Sequence, residues 1–290
     1  MNPCLCIFGE VLFDHFPSGE RVLGGAPFNV AWHLQAFGLA THFISRVGDD
    51  EEGRQVLQAM RDWNMDTSGV QLDSEVPTGR VSVSFDAGEP SYDIVAPCAY
   101  DRIAIPSPLP RCDLLYHGSL ALRDPASRSA AEAILADAGR IFLDVNLRPP
   151  WWQREQVLAL VGRAHWVKLN EHELADLSGG DTPDTQRAQA FLREHDLQGL
   201  VVTRGAAGAE MLSADGQSHR VKPQMSGKTV DTVGAGDAFA SVLLLGIARQ
   251  WPPPLILERA QAFASVVVGQ RGATIHDAGF YRQFIDQWQS

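Results

Sequence analysis

Long apolar runs are missing from this sequence. Nowhere do 18 apolar residues stand together, and the first run, Leu5–Phe8, has no basic stretch before it and is too short for the core of a secretion signal. Positive charge is scarce as well. With 24 Lys and Arg against 35 Asp and Glu, the net charge is -11, which excludes nucleic acid and anionic membrane as partners, since both require a basic surface. Any anionic ligand must therefore be met by local charge. The four cysteines, Cys4, Cys6, Cys98 and Cys112, lack the paired Cys-x-x-Cys spacing of a zinc site. Cys4 and Cys6 read as two small buried hydrophobes on one strand face, with thiols reduced in a cytosol. A soluble cytoplasmic protein is expected. Three well-known motifs are incomplete. Gly227-Lys228-Thr229 has Lys222 where a phosphate loop of the Walker type needs glycine, and Gly234-x-Gly236 is followed by Phe239 rather than a third dinucleotide-binding glycine. Glu171-His172-Glu173 lacks the spacing of a zinc protease. There is no internal repeat and no low-complexity tract.

What is present is enough apolar residue, 45% of 290, to bury a full core in one large α/β domain or two smaller ones. Leu5–Phe8 followed by Gly9 reads as a buried strand, 26–37 closed by Gly38 as a helix, and 41–47 as the next strand. Between the first strand and that helix, 11–16 and 20–23 flank Pro17-Ser18-Gly19 and read as a hairpin. An amphipathic helix is expected over 51–63. The strict alternation of 80–85 and 91–95 around Gly88-Glu89-Pro90 then predicts a second hairpin with one apolar face. Two hairpins of this kind predict a small sheet inserted at about 11–23 and 78–96. The uncovered face of Val81, Val83 and Phe85 predicts a homodimer through it. From 113 onward, strands 114–117, 141–145, 166–169 and 199–203 alternate with helices, including one opened by Asp124-Pro125 and one over 182–195. That pattern is a parallel sheet covered on both faces. The pair 209–213 and 217–221 around Asp215-Gly216 closes the sheet with an antiparallel hairpin. A helix over 255–268 follows it.

Ligands of such sheets sit beyond the carboxyl ends of the strands. The densest chemistry in the sequence is Asp231-Thr232-Val233-Gly234-Ala235-Gly236-Asp237-Ala238-Phe239, a glycine-spaced loop running into the apolar segment 238–248. Its backbone N–H groups and the positive end of the following helix make an anion cradle. The carboxylate of Asp237 in that cradle suits a base that takes a proton from an attacking hydroxyl. A plain helix cap is the alternative.

Asp-Thr-x-Gly-Ala-Gly-Asp-x-Phe resembles the C-terminal signature of the ribokinase-like (phosphofructokinase-B type) carbohydrate kinases. Gly24-Gly25-Ala26-Pro27-Phe28-Asn29-Val30-Ala31 resembles their N-terminal one. The resemblance runs from about Gly9 to about Gly272 and within the family is strongest to fructokinases. It implies a doubly wound, mainly parallel α/β sheet flanked by helices, with the small sheet serving as a lid, in a single kinase domain over 1–290. It implies ATP-dependent phosphorylation of a primary hydroxyl of a small sugar, D-fructose first, with 2-keto-3-deoxygluconate or ribose as near alternatives. A catalytically dead sugar-binding regulator and a nicotinamide-dependent dehydrogenase are the rivals from other classes.

The residues follow from the same match. Asp237 is the base, with Gly234, Ala235 and Gly236 holding the transferring phosphoryl group. Asp14, Gly24, Gly25, Asn29 and Ser119 face the sugar. Asn146 and Arg148 follow strand 141–145, where ligands gather, and Arg148 offers a positive fork to the phosphates. Asn170-x-x-Glu173 is a capping-box pattern on its own terms. In the family it organises Mg²⁺, with Glu173 acting through metal-bound water. The nucleotide is met by Arg148, Asn170, Thr203, Gly205, Gly208 and Gln261. A carboxylate at Asp231 beside incoming phosphate would repel it unless a cation stood between them; a loop cap that accepts from nearby N–H groups is the alternative. The resemblance supplies K⁺, held by Asp231, Val233, Val267, Gln270 and Gly272, although His276 stands where a small hydroxyl residue completes the family's shell.

Overall fold

The computed structural model describes residues 3–86, 89–179, 184–223, 234–269 and 272–289, without side chains at 85, 86, 89, 90, 184, 185 and 289. Asp231, Val233 and Gln270, with the start of the helix expected over 182–195, lie outside the described residues.

In chain order the elements begin with β1 (Leu5–Phe8), β2 (Leu12–His15), β3 (Arg21–Gly24), α1 (Ala26–Ala36), β4 (Thr41–Gly48), α2 (Glu51–Asp62), β5 (Val70–Asp73), β6 (Gly79–Asp86) and β7 (Glu89–Ile94). They continue with β8 (Leu114–His117), α3 (Pro125–Leu135), β9 (Ile141–Asp144), α4 (Arg154–Val161), β10 (Trp166–Asn170), α5 (Glu171–Ser178), α6 (Asp184–Glu194) and β11 (Gly199–Thr203). The last are β12 (Ala209–Ser213), β13 (Ser218–Val221), α7 (Ala235–Ala248), α8 (Pro253–Val267) and α9 (Ala278–Gln289). Among the described residues the strands form a nine-stranded sheet, β13-β12-β11-β10-β9-β8-β1-β4-β5, and a four-stranded sheet, β3-β2-β6-β7. The large sheet is parallel from β5 to β11 and antiparallel only where β12 and β13 close the edge.

The side-chain period of two explains why the short inner strands are apolar throughout. Leu5 and Ile7 join the core packed under α1, α2, α7, α8 and α9, whereas Cys6 and Phe8 join the one under α3 to α6. Helix α7 is apolar on all sides and buried from Ala238 through Ile247, as expected of a helix caught between a sheet and other helices. It packs on α8 and on α1.

In the small sheet β2 pairs antiparallel with β3 and parallel with β6, so two separate insertions are stitched together. Glu52, buried on α2, meets His15 of β2 at 2.8 Å, Arg21 of β3 at 3.4 Å and Arg80 of β6 at 4.0 Å. That one carboxylate ties three strands of the small sheet to the large body.

Several expectations are corrected. Cys6 and Cys112 are joined as a disulfide, and Cys4 is exposed rather than a buried hydrophobe. The cause is position, since Cys4 precedes the first strand while Cys6 lies inside it, near the segment leading into β8. Val81 and Val83 are buried within the chain, at 6% and 5% exposure, so these two side chains find cover without a second subunit. Strand β5 and helix α9 were not anticipated. The first is a four-residue edge strand with an exposed Leu72. The second is fastened by aromatic contacts of Phe280, Tyr281 and Phe284 with Phe263 of α8.

Candidate active site

The order of the large sheet reverses at β1, whose neighbours are β4 and β8. The crevice of such a sheet opens past the carboxyl ends of those strands, where Glu10, Ser119 and the start of α7 lie. Helix α7 begins at Gly234, which takes the left-handed φ of 80° and brings no side chain to cap the helix. A Cβ there would overlap Ala273, so only glycine lets the loop at 272–273 lie against the cradle. Asp237, in the first turn, is not the cap. Its Oδ2 instead accepts a hydrogen bond from Asn29 Nδ2 at 2.8 Å, across 208 residues of sequence. Burial raises its proton affinity, with the nearby Asp144 adding to this, while the Asn29 bond, Lys168 and Arg148 pull the other way. The balance leaves a carboxylate more basic than a free one, which suits proton abstraction.

Asn29 belongs to the first turns of α1, whose N-cap Gly25 sits at φ 109°; a Cβ on Gly25 would press on the backbone of Glu10. A Cβ on Gly24 would stand 3.8 Å from Asp14 Oδ2 and 3.9 Å from Asn29 Oδ1. Asp14, Gly24, Gly25, Asn29 and Asp237 are therefore drawn together. Asp14 also lines a cleft of about 800 Å³ between the small sheet and the C-terminal loop, with Phe13, Arg21, Tyr92, Thr274 and His276. Ser119 is buried, and its Oγ lies 3.5 Å from the carbonyl of Asn146.

On the other side of Asp237 lies a group that the sequence reading missed. Lys168 and Asp144 are register partners on β10 and β9, and Lys168 Nζ donates to both carboxylate oxygens at 2.9 Å. Tyr116 of β8 donates its hydroxyl to the same carboxylate at 3.2 Å. Burial works to lower the lysine's pKa, but the attraction of Asp144, and beyond it Asp237 and Glu173, holds it above the ordinary value. The ammonium lies 3.7 Å from where a Cβ on Gly236 would be, so a permanent positive charge underlies the cradle. The sequence signal was a single charge inside each of two apolar strands.

Asn170 and Glu173 form the capping box of α5. Asn170 Oδ1 accepts from the amides of His172 and Glu173, and Glu173 accepts from Asn170 N and, through Oε1, from Leu147 N at 2.8 Å. The box thus also fixes the loop bearing Arg148, which is exposed at the crevice. Burial raises the pKa of Glu173, against its two backbone hydrogen bonds. Among the described residues no three His, Cys, Asp or Glu side chains could enclose a metal. Thr203 ends β11, and the turn Gly205–Ala207 runs to Gly208, whose φ of 97° and contact with Val221 leave no room for a side chain. Gln261, on α8, is hydrogen-bonded to Ser265. Of the expected cation ligands, Val267 closes α8 and Gly272 lies next to the Ala273 that touches Gly234.

The sequence reading also passed over Glu10 and Arg123. Glu10 is 3% exposed with Oε2 unpartnered. Burial first, opposed by a backbone hydrogen bond and by Arg148, pushes its pKa up to about 7. Arg123 binds Asp101 through Nε and Nη2, and its Nη1 is buried without a partner.

The fold, the uncapped helix start and the acid held in it together mark a phosphotransferase of the carbohydrate kinase class. The pfkB family carbohydrate kinase model matches residues 8–278, and the chain belongs to that family. It is 34% identical over 270 residues to a fructokinase of Klebsiella pneumoniae, covering 87% of each chain. To an aminoimidazole riboside kinase of Salmonella typhimurium it is 31% identical, over 92% of this chain and 89% of that one. Among solved structures, a fructokinase double mutant of Vibrio cholerae O395 in fructose, ADP and potassium ion bound form superposes with TM-score 0.82 at 27% identity. The match covers 97% of this chain and 99% of that one.

Proposed function

We propose that this sugar kinase transfers the γ-phosphoryl group of ATP to a primary hydroxyl of D-fructose. The observation that carries the reading is Asp237, oriented by Asn29 at the open start of α7. Asp14, Gly24, Gly25, Asn29 and Ser119 hold the sugar so that one hydroxyl faces Asp237. That carboxylate takes the hydroxyl proton as the sugar oxygen bonds to phosphorus and the bond from phosphorus to the ADP oxygen breaks. Charge on the phosphoryl oxygens is met by the amides of Ala235 and Gly236 and by the field of Lys168. Arg148, Asn170, Thr203, Gly205, Gly208 and Gln261 receive the nucleotide. Mg²⁺, when bound, neutralises phosphate charge, and Glu173 would hold it through water. K⁺ would lie between Asp231, Val233, Val267, Gln270 and Gly272.

We read 1–290 as one catalytic unit whose small sheet is a lid. A homodimer through that sheet is supported by the edge position of β7 and by Tyr92, 51% exposed on it. No helix among the described residues is long and apolar enough to cross a membrane, and dependence on ATP supports work in the cytoplasm. A ribosyl acceptor is the second reading, favoured by the similarity to aminoimidazole riboside kinase. An ADP-release screen over fructose, ribose, aminoimidazole riboside and 2-keto-3-deoxygluconate tests the proposal. Fructose should give the highest kcat/KM, and release with none of the four would overturn it.

A further inference from the structure

Glu10 sits two residues past the end of β1, at the crevice formed where the sheet order reverses. The groups around it come from different elements: Arg148 after β9, Asp237 on α7 and Arg123 on the turn Leu120–Arg123, with the phenols of Tyr100 and Tyr116 close enough to feel its charge. None of them satisfies Glu10 Oε2. Arg123 is already neutralised by Asp101 at 2.7 Å, with Nη2 shared among Asp101, Tyr100 and the Val95 carbonyl. Asn29 Oδ1, whose amide nitrogen holds Asp237, is likewise buried without a donor. Each such oxygen has lost its water without gaining a partner, and hydroxyl groups placed in the crevice would restore one.

We propose that Glu10 is a specificity-determining residue that hydrogen-bonds, beside Asn29, a hydroxyl of an uncharged acceptor sugar. The proposal deepens the sugar kinase reading and rests on it. The acceptor site then presents three carboxyl groups, Glu10, Asp14 and Asp237. With Glu10 ionised, that site repels an acceptor that carries a carboxylate or phosphate of its own, while a sugar hydroxyl can satisfy Glu10. A pKa near 7 keeps much of Glu10 protonated at neutral pH, so it can donate as well as accept.

The test uses the neutral sugar that the wild-type protein binds most tightly, measured by calorimetry in Asp237→Asn protein so that turnover does not intervene. Adding Glu10→Ala should raise its Kd about tenfold or more, the worth of one buried hydrogen bond. Glu10→Gln, isosteric and still both donor and acceptor, should stay within about threefold. In otherwise wild-type protein at pH 9, where Glu10 is ionised, Glu10→Gln should also lower at least tenfold the preference in kcat/KM for that sugar over 2-keto-3-deoxygluconate, because one repelling charge is gone. Thermal melts confirm that each variant is folded, and the isosteric variant carries the test if the alanine variant is not. A Kd within twofold of the parent in Glu10→Ala, or an unchanged preference in a folded Glu10→Gln, overturns the proposal. Failure of the kinase reading looks different: no ADP release by wild-type protein, with the sugar Kd values still reporting on Glu10.

Discussion

Replacing Lys168 with Met should be among the most damaging single changes in the protein. The substitution keeps the length and the packing of the stem but removes a charge whose side chain is 9% exposed, leaving Asp144, 3% exposed, without its two 2.9 Å hydrogen bonds. Only the Tyr116 hydroxyl would still donate to that carboxylate. Breaking one side of a buried pair costs about 3–5 kcal/mol, which in a chain of this size lowers Tm by on the order of 10 °C. Removing both charges, as Lys168→Met with Asp144→Leu, strands no ion. The remaining loss is the Tyr116 bond, about 1 kcal/mol. Urea unfolding of the wild type, both single variants and the double variant gives the coupling directly. The lysine also helps to hold the Asp237 proton affinity down, so Lys168→Met should move the acid limb of kcat/KM to higher pH. Single-variant losses that simply add in the double variant would refute the buried-pair argument. An unmoved acid limb would refute the link to Asp237.

Asp237→Asn should lower kcat by about 10²–10⁴ with the sugar Kd little changed, the pattern of a lost base; a variant keeping more than half of wild-type kcat would sink that assignment. K⁺ should raise kcat several-fold over tetramethylammonium at equal ionic strength, and Asp231→Ala should abolish the response, so equal rates in the two salts count against the cation site. Light scattering at micromolar concentration should give twice the 31.6 kDa of one chain if the small sheets pair, and a monomer mass would refute that pairing.

The strands were legible where burial on both faces left no choice of residue. β1, β8, β9 and β11 are short apolar runs, and a parallel sheet under helices is the only setting that buries them all. The glycines of the cradle were legible too, because a left-handed φ at Gly234 and close approach at Gly25 admit little else. What escaped was pairing at a distance. Asp144 and Lys168 look like two blemishes in apolar strands until the register sets them side by side. Glu10 looks like a residue of the link between β1 and β2, and only the fold encloses it. That Asp237 accepts from Asn29 instead of capping α7 is visible only in the fold, since spacing alone could not bring Asn29 near. The union of Cys6 with Cys112, 106 positions apart, had no local signal either.

Glu52 has a mechanical consequence. The small sheet meets one carboxylate of α2 through His15, Arg21 and Arg80, one side chain from each of three strands, so loss of that carboxylate loosens three strands at once. Because β2 and β6 are hydrogen-bonded to each other, those strands cannot move separately. The small sheet is therefore built as one plate rather than two separate loops, and its far edge, β7, carries Tyr92 beside the cleft.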